Sequence, residues 1–301
     1  MIARGRVVVS VMAFAALGAC SAGPSTSIHP STTTPMAPTP ATTSAATATP
    51  TASLTAPPVV VEDINLGGGS RPAYLVRPED APAGTAAGIL WFHWLESGSP
   101  TSNRTEFLDE AKEMASRRVT SILVDGSFPW HEDPESIAHD TAALDADLAM
   151  LSSAYEALLA RPEVDPARTA LVGHDFGSMY ESVLFARDDR PQALVMMAPT
   201  ARWADWFAKY WVITDDDDAY KAALVPYDPV ETLPKAGGRP VLLQFADNDR
   251  FIPVENAALT TEAAGAGATS TNYDTDHGMN EEARADRDEW LVEKLGLGTA
   301  E

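Results

Sequence analysis

Cysteine is nearly absent: Cys20 is the one thiol in 301 residues. A lone cysteine excludes an internal disulfide framework and a thiolate zinc site. Positive charge is also scarce. The chain has 21 Lys and Arg against 43 Asp and Glu, a formal net charge of −22. That balance argues against a nucleic-acid partner, because cationic neutralisation of phosphates supplies most of such affinity. The apolar run Val7 to Leu17 is too short to span a bilayer as a permanent helix.

That short run has another use. Arg4 and Arg6 precede it and Leu17-Gly18-Ala19-Cys20 closes it, the layout of a secretory signal. The closing tetrad resembles the bacterial lipobox, in which the cysteine is lipidated and becomes the new N-terminus. Residues 1–19 are therefore expected to be a lipoprotein signal peptide. Cys20 would anchor the chain to a membrane on the extracytoplasmic side, each buried CH₂ contributing about 0.8 kcal/mol. Lipidation would also consume the only thiol, so a catalytic cysteine is not expected. From Ser21 to Pro57 the chain is almost entirely Thr, Ala, Pro and Ser, without one Asp, Glu, Lys or Arg. Such a segment cannot bury enough apolar surface to offset its ordering entropy, and residues 20–57 are expected to be a disordered tether.

Residues 58–301 are expected to form one α/β domain. Val59 to Leu66 and Ala73 to Arg77, joined at Gly67-Gly68-Gly69, predict an N-terminal antiparallel hairpin. Buried strands are then expected at Gly88 to His93, Val119 to Val124, Thr169 to Gly173, Gln192 to Ala198, Pro240 to Phe245 and Thr269 to Tyr273, with helices between them. Asp133-Pro134 predicts a helix start, proline being favoured at the first helical position. The alternation implies a mainly parallel sheet with helices on both faces, and ligands in such sheets bind at the carboxyl ends of the strands.

The informative segment is Gly173-His174-Asp175-Phe176-Gly177. A strand ends and a helix begins around Asp175, which puts an aspartate where the nucleophile-elbow motif has serine. A helix-capping aspartate is the simpler explanation of that residue alone. Its partners point further. Asp249, after one strand, and His277, after the next, complete the order nucleophile, acid, histidine. Asp247 is a rival acid; the spacing to Ile252-Pro253 favours Asp249.

With these residues the region from about Val60 to Leu295 resembles an α/β-hydrolase domain. The compact layout is similar to dienelactone hydrolases and related esterases. The Gly-His-Asp-Phe-Gly elbow is similar to that of epoxide hydrolases and haloalkane dehalogenases. The resemblance implies Asp175 as nucleophile, His277 as base and Asp249 as acid, with backbone N–H donors for an oxyanion at Phe176 and Trp94. It implies a small-molecule substrate and no cofactor or metal. His93 precedes Trp94-Leu95-Glu96 where the family has His-Gly-x-Pro, and Phe176 stands where dehalogenases place a halide-binding tryptophan. The excursion 199–239 is short for a full cap, yet Trp203, Trp206, Tyr210 and Tyr227 crowd it. With His93 these are candidates for a substrate pocket. A helix packing its aromatic face on the core is the alternative.

The chemistry of a carboxylate ranks the reactions. Attack on an ester would form an anhydride, whereas attack on a saturated carbon bearing oxygen gives an alkyl ester that water can hydrolyse with histidine as base. Epoxide-type opening is therefore the first expectation. Dienelactone- or esterase-like hydrolysis with Asp175 in a base-like role, haloalkane dehalogenation, and a non-catalytic lipid-anchored binding domain are the alternatives. The segment with His131, Glu132, Asp133, His139 and Asp140 lacks metal-ligand spacing, and Asp215 to Asp218 lacks the glycine and glutamate of a calcium loop.

Overall fold

A computed structural model describes residues 58–66, 71–95 and 103–298. The expected signal segment 1–19, Cys20, the tether 20–57, the Gly67-Gly68-Gly69 turn and Glu96 lie outside the described residues. β1 (Val59–Leu66) and β2 (Arg71–Pro78) pair antiparallel. Then follow β3 (Ala86–Phe92), α1 (Leu108–Ser116), β4 (Val119–Val124), α2 (Ile137–Leu159), β5 (Val164–His174), α3 (Phe176–Arg187) and β6 (Ala193–Met197). The excursion holds three short helices, α4 (Trp203–Tyr210), α5 (Asp217–Leu224) and α6 (Pro229–Thr232). The chain closes with β7 (Val241–Ala246), α7 (Val254–Ala264), β8 (Ala268–Tyr273) and α8 (Glu281–Lys294).

The strands form one eight-stranded sheet in the order β1-β2-β4-β3-β5-β6-β7-β8. β1–β2 and β2–β4 are antiparallel, and every pairing from β4 to β8 is parallel. Side chains alternate across this sheet and build two cores. Along β3, Ile89 and Trp91 pack with Ala111 and Met114 of α1 and Leu291 of α8. Leu90 and Phe92 face the other way, with Leu151 of α2 and Met179 of α3. Both faces being covered, β3, β4, β6 and β7 are buried along their whole length, each large buried apolar side chain contributing about 1.5–3 kcal/mol over exposure.

The boundaries furthest from expectation are the start of β5, at Val164 and not Thr169, and the start of α2. α2 starts after Ser136, whose side chain accepts from His139 N, and not at Asp133-Pro134. The Glu135 N–H is taken by the buried Asp140 carboxylate at 2.9 Å, and residues 133–135 stay outside the helix. The carboxyl ends of β3, β5, β7 and β8 share one edge, and the segments beginning at His93, Asp175, Asp247 and Asp274 leave from it.

Candidate active site

β5 ends at His174 and α3 begins at Phe176, so Asp175 alone makes the turn. Its backbone sits at φ 52° and ψ −122°, a conformation that costs an aspartate about 1–3 kcal/mol. Two glycines make the turn sterically possible. A Cβ at Gly177 would lie 2.3 Å from the Phe92 carbonyl oxygen, and one at Gly173 would lie 2.5 Å from the Ser178 backbone. The Asp175 side chain makes no capping hydrogen bond to α3, so helix capping does not account for this residue. Oδ1 is buried and has no hydrogen-bond partner.

Asp249 and His277 meet beside it. His277 Nδ1 donates to Asp249 Oδ2 at 2.8 Å, and Asp249 Oδ1 accepts from the Phe251 and Ile252 N–H groups at 2.7 and 3.0 Å. These bonds leave Nε2 facing Asp175 Oδ2 at 3.9 Å. Asp247 is turned elsewhere and accepts from Asn272. Burial works against the charged form of His277. The two facing carboxylates outweigh it and raise its pKa from 6.5 to about 10. For Asp249, burial pushes the pKa up, but His277 and the two backbone donors hold it below the ordinary carboxylate value. The resting site is an imidazolium between two carboxyl groups.

The oxyanion expectation shifts by one residue. The Trp94 N–H donates to Glu106 Oε2 at 2.7 Å and faces away from the elbow. The donor that reaches the site from this loop is Leu95 N–H, a long contact of 3.4 Å to Asp175 Oδ2. Phe176, as the first residue of α3, has an N–H with no intrahelical acceptor. The Trp94 indole instead stacks on His174 and His277, centroids 5.0 and 5.6 Å away.

The pocket candidates separate. Trp206 lies on the site side, 6.0 Å from Phe251, whose ring meets His277 edge-on at 5.0 Å. Tyr210 stacks on Trp206 and is partly exposed. Trp203 is fully buried behind Phe176 and donates Nε1–H to the Tyr227 carbonyl, so it belongs to the core. Tyr227 gives its hydroxyl to Asp145. His93 is buried with both ring nitrogens engaged, Nε2 accepting from Gly126 N–H and Nδ1 on the Trp94 carbonyl. These last three are structural, contrary to expectation. Leu95, Phe251, Glu106 and His174 complete the site; of these, His174 has a sequence signal, its place directly before the elbow aspartate. A small cavity flanks Asp249 against Ile252 and Ala257 but does not include Asp175 or His277. Among the described residues no cluster of three or more metal-ligating side chains occurs.

No protein-family model matches the chain, and no curated protein matches it. Solved structures do. A protein assigned as a dienelactone hydrolase from Klebsiella pneumoniae subsp. pneumoniae MGH 78578 is 17% identical, with a TM-score of 0.57, over 79% of this chain and 99% of that one. The chain has the α/β-hydrolase fold. Two esterases with this fold match similarly. An acetyl xylan esterase from Paenibacillus sp. R4 is 15% identical with a TM-score of 0.61, over 81% of this chain and 86% of its own. The esterase Est2 of Thermogutta terrifontis is 15% identical with a TM-score of 0.58, over 82% and 98%.

Proposed function

We propose that this domain is a hydrolase of carboxylic esters or lactones, with Asp175 as base, His277 as proton donor and Asp249 as the group that orients and charges His277. The observation that carries the reading is the Asp175 side chain, on strained elbow backbone beside His277, with one buried oxygen unpartnered. With His277 doubly protonated up to about pH 10, the group able to take a proton from water is Asp175. Water attacks the ester carbonyl and gives its proton to Asp175. The Leu95 and Phe176 N–H groups are the nearest donors for the developing oxyanion. His277 then protonates the leaving alkoxide, and the proton on Asp175 returns to the ring. No anhydride forms.

This ranks ester hydrolysis above the epoxide opening that the elbow alone suggests. The named neighbours are described as a dienelactone hydrolase and esterases. Among the described residues no tyrosine hydroxyl hydrogen-bonds to a site residue: Tyr220 and Tyr227 bond to Asp140 and Asp145 of α2. One observation favours a second reading. Leu95 N–H on Oδ2 with Oδ1 free is also the arrangement of a carboxylate that attacks with one oxygen and holds the other among donors. Attack on a saturated carbon would neutralise Asp175, removing one of the two charges that keep His277 protonated, and free it to act as base.

A panel of p-nitrophenyl esters, lactones, epoxides and alkyl bromides separates these readings, with single turnovers in ¹⁸O-water. Ester hydrolysis with label in the product acid and none in Asp175 is the expected result. Label accumulating in the Asp175 carboxylate would replace it with the alkyl-enzyme reading. Turnover of nothing would leave a lipid-anchored binding domain. The proposed partners are a small-molecule substrate and a membrane held through Cys20, with no nucleic acid. The wild-type chain should partition into detergent and Cys20→Ser should not; an aqueous wild type would remove the anchor.

A further inference from the structure

We propose that Glu106 and His174 are positioning residues, a single carboxylate–imidazole bridge that sets the oxyanion loop and the main chain of His277 against the elbow. Glu106 lies just before α1, and its two oxygens divide the work. Oε2 accepts the Trp94 N–H at 2.7 Å, and Oε1 meets His174 Nδ1 at 2.6 Å. The other ring nitrogen, Nε2, reaches the His277 carbonyl oxygen at 2.9 Å. A carbonyl can only accept, so Nε2 carries the hydrogen of that bond. His174 is buried and Glu106 partly so: their side chains are 2% and 18% exposed.

Three segments distant in sequence are thereby tied at one point: the β3 loop, the elbow and the loop after β8. The consequence for the site follows from the first tie. By taking the Trp94 N–H, Glu106 turns that amide out of the oxyanion position and leaves Leu95 N–H as the donor facing Asp175. The second tie holds the His277 backbone, and the Trp94 indole, stacked on both histidines, fixes the ring plane. A misplacement of about 1 Å in such a shell costs about 10²-fold in rate.

The kinetic arm of the test rests on the hydrolase reading; the spectroscopic arm does not. With p-nitrophenyl butyrate, Glu106→Ala and His174→Ala are expected to lower kcat by about 10–100-fold and change KM by less than about threefold. Added imidazole should restore part of the His174→Ala rate by refilling the bridge. The side-chain ¹⁵N spectrum of His277 is recorded on the same proteins, and its titration should move in both variants. Where an alanine variant does not fold, Glu106→Gln and His174→Gln replace it, each expected to keep one contact and to fall between wild type and alanine. Folded variants with unchanged kcat and an unchanged His277 titration would overturn the proposal. A wild type inert towards every ester, with a His277 titration that still moves in the variants, would remove the hydrolase reading and leave the bridge standing.

Discussion

The strand-end loops and the helices of the excursion meet at the same edge of the sheet, yet they take their places on different terms. Asp175, Asp249 and His277 are delivered by backbone: each follows a parallel strand, and chain order alone brings them to one edge. The aromatic side chains of the excursion are delivered by packing. Trp203 goes inward onto Phe176, Tyr220 and Tyr227 reach sideways to carboxylates of α2, and Trp206 alone turns to Phe251 and the site. Proximity to an active site is thus a poor guide to a role in it. A residue's attachment to the sheet decides more.

The sharpest way to break this contrast is to remove one strand-end group. Asp249→Asn should lower kcat by about 10²–10⁴-fold, since an amide neither charges His277 nor fixes its tautomer. The pH dependence of stability should change with it. His277 is raised above its unfolded value, so its pairing stabilises the fold fully below about pH 6.5 and the contribution is lost as pH rises through about 10. In Asp249→Asn this alkaline loss should be smaller and be complete at lower pH, read from Tm against pH. An Asp249→Asn enzyme with wild-type kcat would make Asp249 a loop residue like Asp247.

A smaller effect is expected in the excursion. Tyr220→Phe leaves the buried Asp140 short of a donor and should cost about 1–3 kcal/mol, with kcat changed by less than about threefold. Denaturant midpoints and initial rates on one preparation check both halves. A large loss of rate with unchanged stability would move Tyr220 into the catalytic machinery.

The same reasoning says which parts were legible before the fold was known. Strands β1 and β4 have the ends that their apolar patterns predict. The elbow was legible because Gly173 and Gly177 bracket a residue whose backbone permits nothing larger beside it. The start of α2 was not, because it depends on the Asp140 carboxylate claiming the Glu135 N–H. The shift from Trp94 to Leu95 was not legible either. It depends on Glu106, 12 positions away in the sequence and without a motif of its own. Local backbone chemistry is written in short spacings, whereas side-chain partners across elements are not.

A further effect, of similar size, has the opposite sign. Glu181, one and a half turns after the elbow, is fully buried on α3, and neither carboxyl oxygen has a well-formed hydrogen bond, the Val172 backbone N–H being the donor beside it. Burial raises its pKa well above the ordinary value. An acid raised in the folded state destabilises the fold as pH climbs above its unfolded pKa, near 4.5. Glu181→Met should therefore stabilise the protein by about 1–3 kcal/mol at neutral pH, and by less at pH 4.5. Equal or lower stability of the variant at pH 7 would mean that the carboxyl group has a partner.

If Asp175 at the elbow is the reacting group of a hydrolytic site, Asp175→Asn should silence it without disturbing the fold. Asparagine tolerates positive φ as aspartate does, so the turn and the melting temperature should be preserved while the negative charge is lost. Hydrolysis of p-nitrophenyl esters by wild type and variant, at equal folded concentration and neutral pH, is the measurement. Turnover by the wild type is expected, with a rate at least about 10³-fold lower in the variant. A folded Asp175→Asn protein that hydrolyses the same ester at the wild-type rate would contradict it.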